Sequence, residues 1–189
     1  AFSWIKNRDA TDNHMLFDRV RGIYNDMHSN TTDVQVTNVN TLQRFLNGGV
    51  QVGNDVQVNT ASESYVAWNW YMQTTGSGSS NTDGTINTTS TLVDTNLGLS
   101  ISTYTGTGAN ATFGHGLGVI PEFFMIRQLT ANGNVSGTPV YIHALGSSTN
   151  LRLDNNGAKT SSSTAATRWN NTAPTSSVIS IGTSNIVNG

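Results

Sequence analysis

Short runs of alternating apolar and polar residues recur along the chain, and turn-forming residues separate them. Alternation with a period of two places successive side chains on opposite faces of a strand. The dipeptides Asn47-Gly48, Asn132-Gly133 and Asn156-Gly157 supply the positive φ of tight turns. The pattern predicts strands at residues 2–7, 15–20, 49–52, 56–58, 65–72, 99–105, 123–129, 139–145, 150–153 and 178–181. Many short strands with frequent turns favour an all-β fold, a β-sandwich or jelly roll rather than a barrel.

Two segments also allow a helix. The stretch from Asp12 to Val20 contains neither Gly nor Pro and is the best helix candidate. The stretch from Thr41 to Leu46 is the second. Because residues 15–20 are also predicted as a strand, strand and helix remain alternatives for the first segment.

A weak internal repeat relates the two halves of the chain. Phe2–Lys6 matches Phe123–Arg127, because in both segments apolar residues precede a basic residue. Gly49–Asn54 matches Val178–Thr183. His28–Thr31 lines up with Leu153–Asn156 between them, and the spacing drifts slowly, as loop insertions would cause. Chance similarity in a low-complexity chain is the alternative, but the matches involve the rarer apolar residues.

The repeat predicts two diverged copies. Residues 1–73 form the first copy, which lacks its N-terminal part, and residues 97–189 form the second, which lacks its C-terminal part. Residues 74–96 are rich in Ser, Gly and Thr and are predicted as a linker or loop, in which Asp83-Gly84 could close a small hairpin. Both ends are expected to continue into a longer array.

The polarity of the chain comes from uncharged side chains. Thr, Asn, Ser and Gly supply 89 of 189 residues, whereas charged residues make up 11%, against about 25% in an ordinary globular domain. The 35% of hydrophobic residues argues against disorder. A net charge of −2 argues against a nucleic-acid partner, and no apolar run reaches the ~18 residues of a membrane span, so membrane insertion is not expected.

Residue patterns for catalysis or cofactor binding are weak. Gly114–Gly118 has the wrong spacing for a dinucleotide fingerprint, and a structural glycine turn is the better interpretation. The four histidines have no zinc-ligand spacing, and the chain has no Cys. The two glutamates, Glu63 and Glu122, have no second acid nearby on a strand. We therefore expect no catalytic residue, no metal site and no cofactor, and hence no enzyme.

Aromatic residues provide the candidate ligand-binding positions. Trp68 and Trp70 are two apart on a predicted strand and share one face, where they could either pack in a core or stack against a sugar ring. Core packing is the favoured interpretation for this pair. Trp169 lies in the polar stretch Arg168–Asn171 and is the better candidate for an exposed ligand contact.

Several motifs resemble one family. They occur at Trp4–Asp12, Leu16–Gly22, Tyr65–Trp70, Ser102–Gly108, Gly114–Gly118 with Pro121, and Trp169–Val178. Together they resemble a repeated domain of unknown function that is found in virion proteins of marine and cyanobacterial tailed phages, often beside laminin-G or concanavalin-like modules. Residues 68–72 depart from the Cys- and Lys-containing version of that family. The resemblance implies that the sandwich could take a concanavalin- or laminin-G-like form. The family supplies no catalytic residues to carry over.

The resemblance implies a non-enzymatic virion protein: part of a tail fibre, spike or capsid appendage at the particle surface, possessing a role in host-surface attachment. Its expected partners are other virion proteins, copies of itself in a homo-oligomer such as a trimer, and a host-surface glycan. The first alternative is a carbohydrate-binding module. The second is a spike polysaccharide depolymerase, which would need cleft acids that the sequence does not present.

Overall fold

Antiparallel strands make up most of the regular structure. The structure is a computed structural model that describes residues 1–74, 76–130, 137–161 and 163–189. The strands of the described residues are β1 Phe2–Asn7, β2 Met15–Asp18, β3 Asn25–His28, β4 Val36–Thr37, β5 Leu42–Leu46, β6 Gly49–Val52, β7 Tyr65–Trp70, β8 Ser90–Asp94, β9 Leu99–Thr103, β10 Ala111–Gly114, β11 Phe123–Met125, β12 Pro139–Ile142, β13 Thr149–Arg152, β14 Thr160–Ser161 and β15 Val178–Ile181. The helices are α1 Ser163–Trp169 and α2 Asn185–Asn188, with a 3-10 turn at His143–Leu145. The prediction of a mainly β chain is confirmed.

The largest sheet has the strand order β4-β3-β2-β1-β7. Its strands are all antiparallel, and β1 lies between β2 and β7. Along β1 the side chains alternate: Ser3, Ile5 and Asn7 are buried, whereas Phe2 and Trp4 on the other face are half-buried. The alternation that predicted this strand therefore reflects two different environments on the two sides of the sheet.

One face of this sheet covers the first hydrophobic core. The core contains Ile5, Met15, Phe17, Leu42 and Val58, and all five side chains are buried. Leu42 comes from the hairpin of β5 and β6, which packs under the sheet. The opposite face of the sheet carries Phe2 and Trp4, which are only half-buried.

A second sheet has the order β11-β12-β13-β14 and packs against α1. A second core lies here, centred on Tyr141, Trp169 and Ile181. The strands β1 to β4 and β11 to β14 thus form two antiparallel meanders with the same consecutive order. The remaining strands form the pairs β5-β6, β8-β9 and β10-β15. Neither a sandwich nor a sequence repeat is confirmed by this arrangement, and both stay predictions.

Both helix candidates are strands. The stretch from Asp12 to Val20 contains β2, and all four residues of β2 are buried: Met15 and Phe17 lie in the first core, and Leu16 and Asp18 on the other face are 1% and 4% exposed. A strand buried on both faces loses the apolar–polar alternation, which explains the helix-like pattern. The stretch from Thr41 to Leu46 contains β5, paired with β6.

The strand predicted at residues 56–58 is wrong. The backbone N–H groups of Val58 and Asn59 both donate to the carbonyl of Asp55, at 3.1 and 2.9 Å. The Asp55 carboxylate also accepts from the backbone N–H of Gln57 at 2.9 Å. A side chain that bonds its own backbone two residues on favours a turn, and here it overrides the strand propensity of the two valines.

The segment 74–96 contains regular structure instead of a continuous linker. Strand β8 pairs with β9 over five residues, and both Ile86 and Leu92 are buried. Thr91 supplies side-chain hydrogen bonds to Thr88 and Ser102 at 2.9 Å. A Ser- and Thr-rich strand satisfies its hydroxyls within the fold, so its composition alone did not reveal it.

The elements that were not predicted from the sequence are strands β3, β4, β8, β10 and β14 and helices α1 and α2. The turn predicted at Asn132-Gly133 lies outside the described residues. The turn at Asn47-Gly48 joins β5 to β6, with Gly48 at φ 100°.

Candidate functional site

Four aromatic side chains line the open face of the largest sheet. Trp4 lies opposite Trp68, and Phe2 lies opposite Trp70, in the register between β1 and β7. The Trp4 and Trp68 ring centroids are 5.9 Å apart with the rings edge-on, and those of Phe2 and Trp70 are 5.2 Å apart. Aromatic pairs across neighbouring strands stabilise a sheet. We call Phe2, Trp4, Trp68 and Trp70 the aromatic face.

The aromatic face is only partly covered. Trp68 is 45% exposed and Trp70 is 36% exposed, so the preferred core interpretation of these two residues is wrong. The indole N–H of Trp4 donates to Nδ1 of His14 at 3.0 Å, which satisfies its polar atom. Burial lowers the pKa of His14, which favours the neutral ring that accepts this bond.

Trp169 lies elsewhere, and its predicted exposure is wrong. It is 1% exposed, and its indole N–H donates to the carbonyl of Thr149 at 3.2 Å. Its ring meets the edges of Phe124 and Tyr141 in the second core. The polar neighbours of Trp169 in sequence are not its neighbours in space, because helix α1 turns this side chain onto the second sheet. The structure thus places Trp68 and Trp70 together and Trp169 apart from them.

A cleft of about 1120 Å³ opens beside the aromatic face. One wall is the sheet, through Phe2, Trp4, Leu16, Met27 and Trp70. The opposite wall comes from β9, from residues 117–130 including β11, and from α2. Large apolar clefts with a few polar groups are the usual form of ligand sites, and this one is the strongest candidate in the described residues.

Hydrogen bonds tie the two walls of the cleft together at one end. The guanidinium of Arg127 donates from Nη1 to the carbonyl of Thr31 at 2.6 Å and from Nη2 to the carbonyl of Asp33. The backbone N–H of Gln35 donates to the carbonyl of Leu129 at 3.2 Å. These bonds join the β3–β4 loop of the first sheet to the strand β11 region.

A second set of bonds links the sheet to the β8–β9 hairpin. After β7, the Asp94 carboxylate accepts from the backbone N–H of Gln73 at 2.8 Å, and the Thr74 hydroxyl donates to the carbonyl of Val93 at 2.6 Å. Met72, which immediately precedes Gln73, is fully buried. The cleft therefore has walls that are fixed by the fold, since both tethers use backbone groups.

The ion pair in the cleft wall is part of the turn after β2. Nε of Arg21 lies 2.5 Å from Oδ2 of Asp18, and the backbone N–H of Arg21 donates to Oδ1 of the same carboxylate at 2.8 Å. The remaining guanidinium nitrogens of Arg21 donate to the carbonyls of Leu16 and Asn25. Both charges are thus used to hold the turn.

A histidine lies between two acids on β3 and the loop that follows. The ring nitrogens of His28 are 3.7 Å from carboxylate oxygens of Asp26 and Asp33. Burial lowers the pKa of His28. Burial, with the charge of Asp55 as a second cause, raises the pKa of Asp26 to about 6. Both shifts favour the neutral forms of these two buried groups.

The glycine-rich segment Gly114–Gly118 forms a turn around His115. Gly116 and Gly118 have φ of 70° and 74°, a region that favours glycine. Nδ1 of His115 accepts from the backbone N–H of Leu117, and Nε2 lies 3.2 Å from the carbonyl of Thr175. The imidazole therefore braces the turn, as the structural interpretation of this motif expected.

The described residues contain neither a candidate metal centre nor a helix that could span a membrane. No group of three or more His, Asp or Glu side chains within residues 1–74, 76–130, 137–161 and 163–189 is arranged to hold a metal ion. Across the same ranges, none of the helices has the length and apolar character needed to cross a membrane.

Sequence reasoning found the aromatic pair on β7 but missed the cleft. The repeat placed Lys6 and Arg127 in matching positions, and this was the one available signal for Arg127. The walls of the cleft come from segments about a hundred residues apart, which a single sequence does not bring together.

One comparison with known proteins gives a match. A family model with the description Domain of unknown function (DUF7483) matches residues 1–189. No curated protein and no solved structure matches the chain.

Proposed function

The chain belongs to the DUF7483 family over residues 1–189, and with that family as the starting point we propose that it is a non-enzymatic structural component of a bacteriophage particle. The component is part of a tail fibre, spike or capsid appendage and presents a surface for attachment. The proposal takes its phage setting from the motifs between Trp4 and Val178 that resemble virion proteins.

The observation that carries a binding role is the exposed aromatic face beside a cleft with fixed walls. Trp70 lines an opening of about 1120 Å³, and Trp68, two residues away on the same face of β7, is exposed outside that lining. Three charged side chains of its lining, Asp18, Arg21 and Arg127, are engaged in bonds that hold turns and tether the walls. Glu122, which also lines the cleft, is exposed. Such a surface supports non-covalent contact, in which apolar area and shape supply the affinity.

A finer architecture belongs to the same proposal. The two meanders β1 to β4 and β11 to β14 have the same strand order, which supports two diverged copies, residues 1–73 and 97–189, packed in a sandwich-like arrangement. Rigid sheets then display the loops, and copies of the chain assemble into a symmetric homo-oligomer with other virion proteins. Segment 74–96 and the loop at 130–138, whose centre lies outside the described residues, are the proposed receptor contacts.

Locating the polypeptide in intact particles tests the proposal. An antibody raised against residues 1–189 is expected to decorate one fixed position on purified particles in electron micrographs, and mass spectrometry of those particles is expected to find the chain. Particles that lack the chain would overturn the virion assignment. An unrelated antibody controls for adhesion to the particle surface.

Carbohydrate binding is the second candidate, and the exposure of Trp68 favours it. An exposed indole that is braced edge-on by Trp4 offers a flat apolar surface to the C–H face of a sugar ring. Glycan-array binding that is lost in Trp68→Ala and kept in Val39→Ala, a change at another exposed apolar residue, would support it. An array on which the native chain binds no glycan would exclude it. Trp169→Ala is unsuitable because that residue is part of the core.

A further inference from the structure

Strand β7 is an open edge of the largest sheet. The sheet ends at β7, and within the described part of the chain no strand pairs with its outer side. An open edge presents a row of unpaired backbone N–H and C=O groups, which another β-strand can satisfy. A partner that binds this edge must therefore be an extended β-strand.

The register identifies which residues present these groups. The backbone N–H of Arg8 donates to the carbonyl of Ser64 at 2.8 Å, in line with the register that pairs Lys6 with Val66. In an antiparallel pair, hydrogen-bonded positions alternate with positions that make no bond to that neighbour. Val66, Trp68 and Trp70 consequently point their backbone groups at β1. Tyr65, Ala67 and Asn69 point theirs outward.

The other edge of the same sheet is closed. Strand β4 has only two residues, Val36–Thr37, and the neighbouring Gln35 donates its backbone N–H to Leu129. Short and covered edges are how proteins prevent unwanted pairing. Strand β7 has six residues and lacks the charge or proline that usually protects an edge. The contrast with β4 indicates that the edge formed by β7 is available for pairing with another strand.

The outer surface of β7 is uncharged and mostly apolar. Residues 67–70 are all exposed, and Tyr71 next to them is 51% exposed. A pocket of about 260 Å³, lined in part by Leu46, Val50 and Tyr71, adds apolar surface at the end of the strand. Antiparallel pairing of two identical β7 strands brings no like charges together. A two-fold axis is also the commonest symmetry of homo-oligomers.

We propose that two copies of this chain dimerise through antiparallel pairing of β7 with β7, which joins their five-stranded sheets into one ten-stranded sheet. Ala67 of each copy pairs with Asn69 of the other through the outward backbone groups. This register places Trp68 opposite Trp68 at the axis, as a pair without mutual backbone hydrogen bonds. The dimer stands independently of whether the chain is a virion component.

Cysteine cross-linking tests the register directly, because the native chain contains no Cys. Opposed residues of this kind have Cα atoms about 4.5 Å apart, which is within the range of a disulfide. Trp68→Cys is expected to give a disulfide-linked dimer under mild oxidation. Val39→Cys, at a position that is 58% exposed on another part of the chain, is expected to stay largely monomeric. Equal cross-linking of the two variants would overturn the proposed register.

Sedimentation of the uncross-linked chain tests the dimer itself. The native chain is expected to reach twice its 20.1 kDa mass at micromolar concentration. Ala67→Pro removes one outward N–H and leaves the bonds to β1, since proline is tolerated on the solvent side of an edge strand. Trp68→Lys places two like charges opposite each other. Each is expected to weaken association about tenfold or more, whereas Val39→Lys leaves it unchanged.

The outcomes separate this dimer from other assemblies. Circular dichroism establishes that each variant is folded, and Trp68→Lys decides the result if Ala67→Pro does not fold. A native chain that remains monomeric at high micromolar concentration overturns the proposal. Dimers, trimers or open polymers that persist in both β7 variants overturn it as well, because they use another surface.

Discussion

Replacement of Trp169 tests the packing of the second core. The side chain is 1% exposed, its ring centroid lies 5.1 Å from that of Phe124 and 6.1 Å from that of Tyr141, and its N–H bonds the carbonyl of Thr149. Truncation of a buried aromatic residue to alanine costs about 3–5 kcal/mol, which includes the cavity left behind. The loss of the indole N–H leaves the Thr149 carbonyl without that donor and adds about 1 kcal/mol.

We therefore expect Trp169→Ala to lower the free energy of unfolding by about 4–6 kcal/mol, a large share of the stability of an ordinary domain. Trp169→Phe retains most of the ring contacts and removes the hydrogen bond, so its expected loss is about 1–2 kcal/mol. Trp68→Ala is the matched control, because Trp68 is 45% exposed, and its expected loss is about 1 kcal/mol.

Urea unfolding followed by far-ultraviolet circular dichroism measures all three variants, with the slopes compared to verify that each unfolds in one transition. The reasoning is refuted if Trp169→Ala is no more destabilising than Trp68→Ala. The same result would restore the earlier expectation that Trp169 lies at the surface.

Three further predictions concern the pH dependence of stability, the close approach of Gly84 to the backbone of Thr112, and the tether that Arg127 forms between the walls of the cleft. Burial raises the pKa of Asp26 to about 6, so its carboxyl group holds a proton more tightly in the folded state than in the unfolded state. The stability that the protonated carboxyl group contributes is therefore full below about pH 4 and is lost as the pH rises to about 6. The stability gained by Asp26→Asn in urea unfolding should therefore grow from pH 4 to pH 7, and a gain of constant size would exclude this origin. A Cβ at Gly84 would lie 2.4 Å from the carbonyl oxygen of Thr112, so Gly84→Ala should cost about 1–3 kcal/mol; Gly49→Ala, with open space around it, should change thermal stability little, and equal effects would contradict the close approach. Arg127→Ala removes the bonds to residues 31 and 33 and should speed amide exchange in residues 31–35 while β5 and β6 stay unchanged; unaltered exchange in 31–35 would show that the tether carries no stability.

Alternation of apolar and polar residues predicted strands β1, β6, β7 and β15. In β1 and β6 it corresponds to a real difference between the two faces, because more covered and less covered residues alternate. In β7 and β15 it does not, because residues 67–70 of β7 are all exposed and three of the four residues of β15 are buried. Strand β2 was predicted with a helix as the alternative, since its four residues are all buried and give no alternation. Strand β8 was missed because its Ser and Thr residues are typical of loops, although their hydroxyl groups are satisfied inside the fold.

The candidate site was less predictable than the strands. The pairing of Trp68 with Trp70 on one face followed from their spacing, but their exposure depends on how far the opposite wall covers the sheet. The burial of Trp169 depends on the packing of α1 against β13 and β15. Both facts are set by contacts between distant segments, which the local sequence does not record.

The position of β7 at the sheet edge also bears on the order of folding. Strands β1 to β4 pair with near neighbours in the sequence, whereas β7 returns to β1 from far along the chain, so that Ser3 bonds Asn69 across a separation of 66 residues. Closing so long a loop is entropically costly, and such pairings form slowly. The meander is therefore expected to assemble while β1 still has one side open, so nascent chains in which β7 has not yet been synthesised would expose the aromatic side chains of β1 to cellular chaperones.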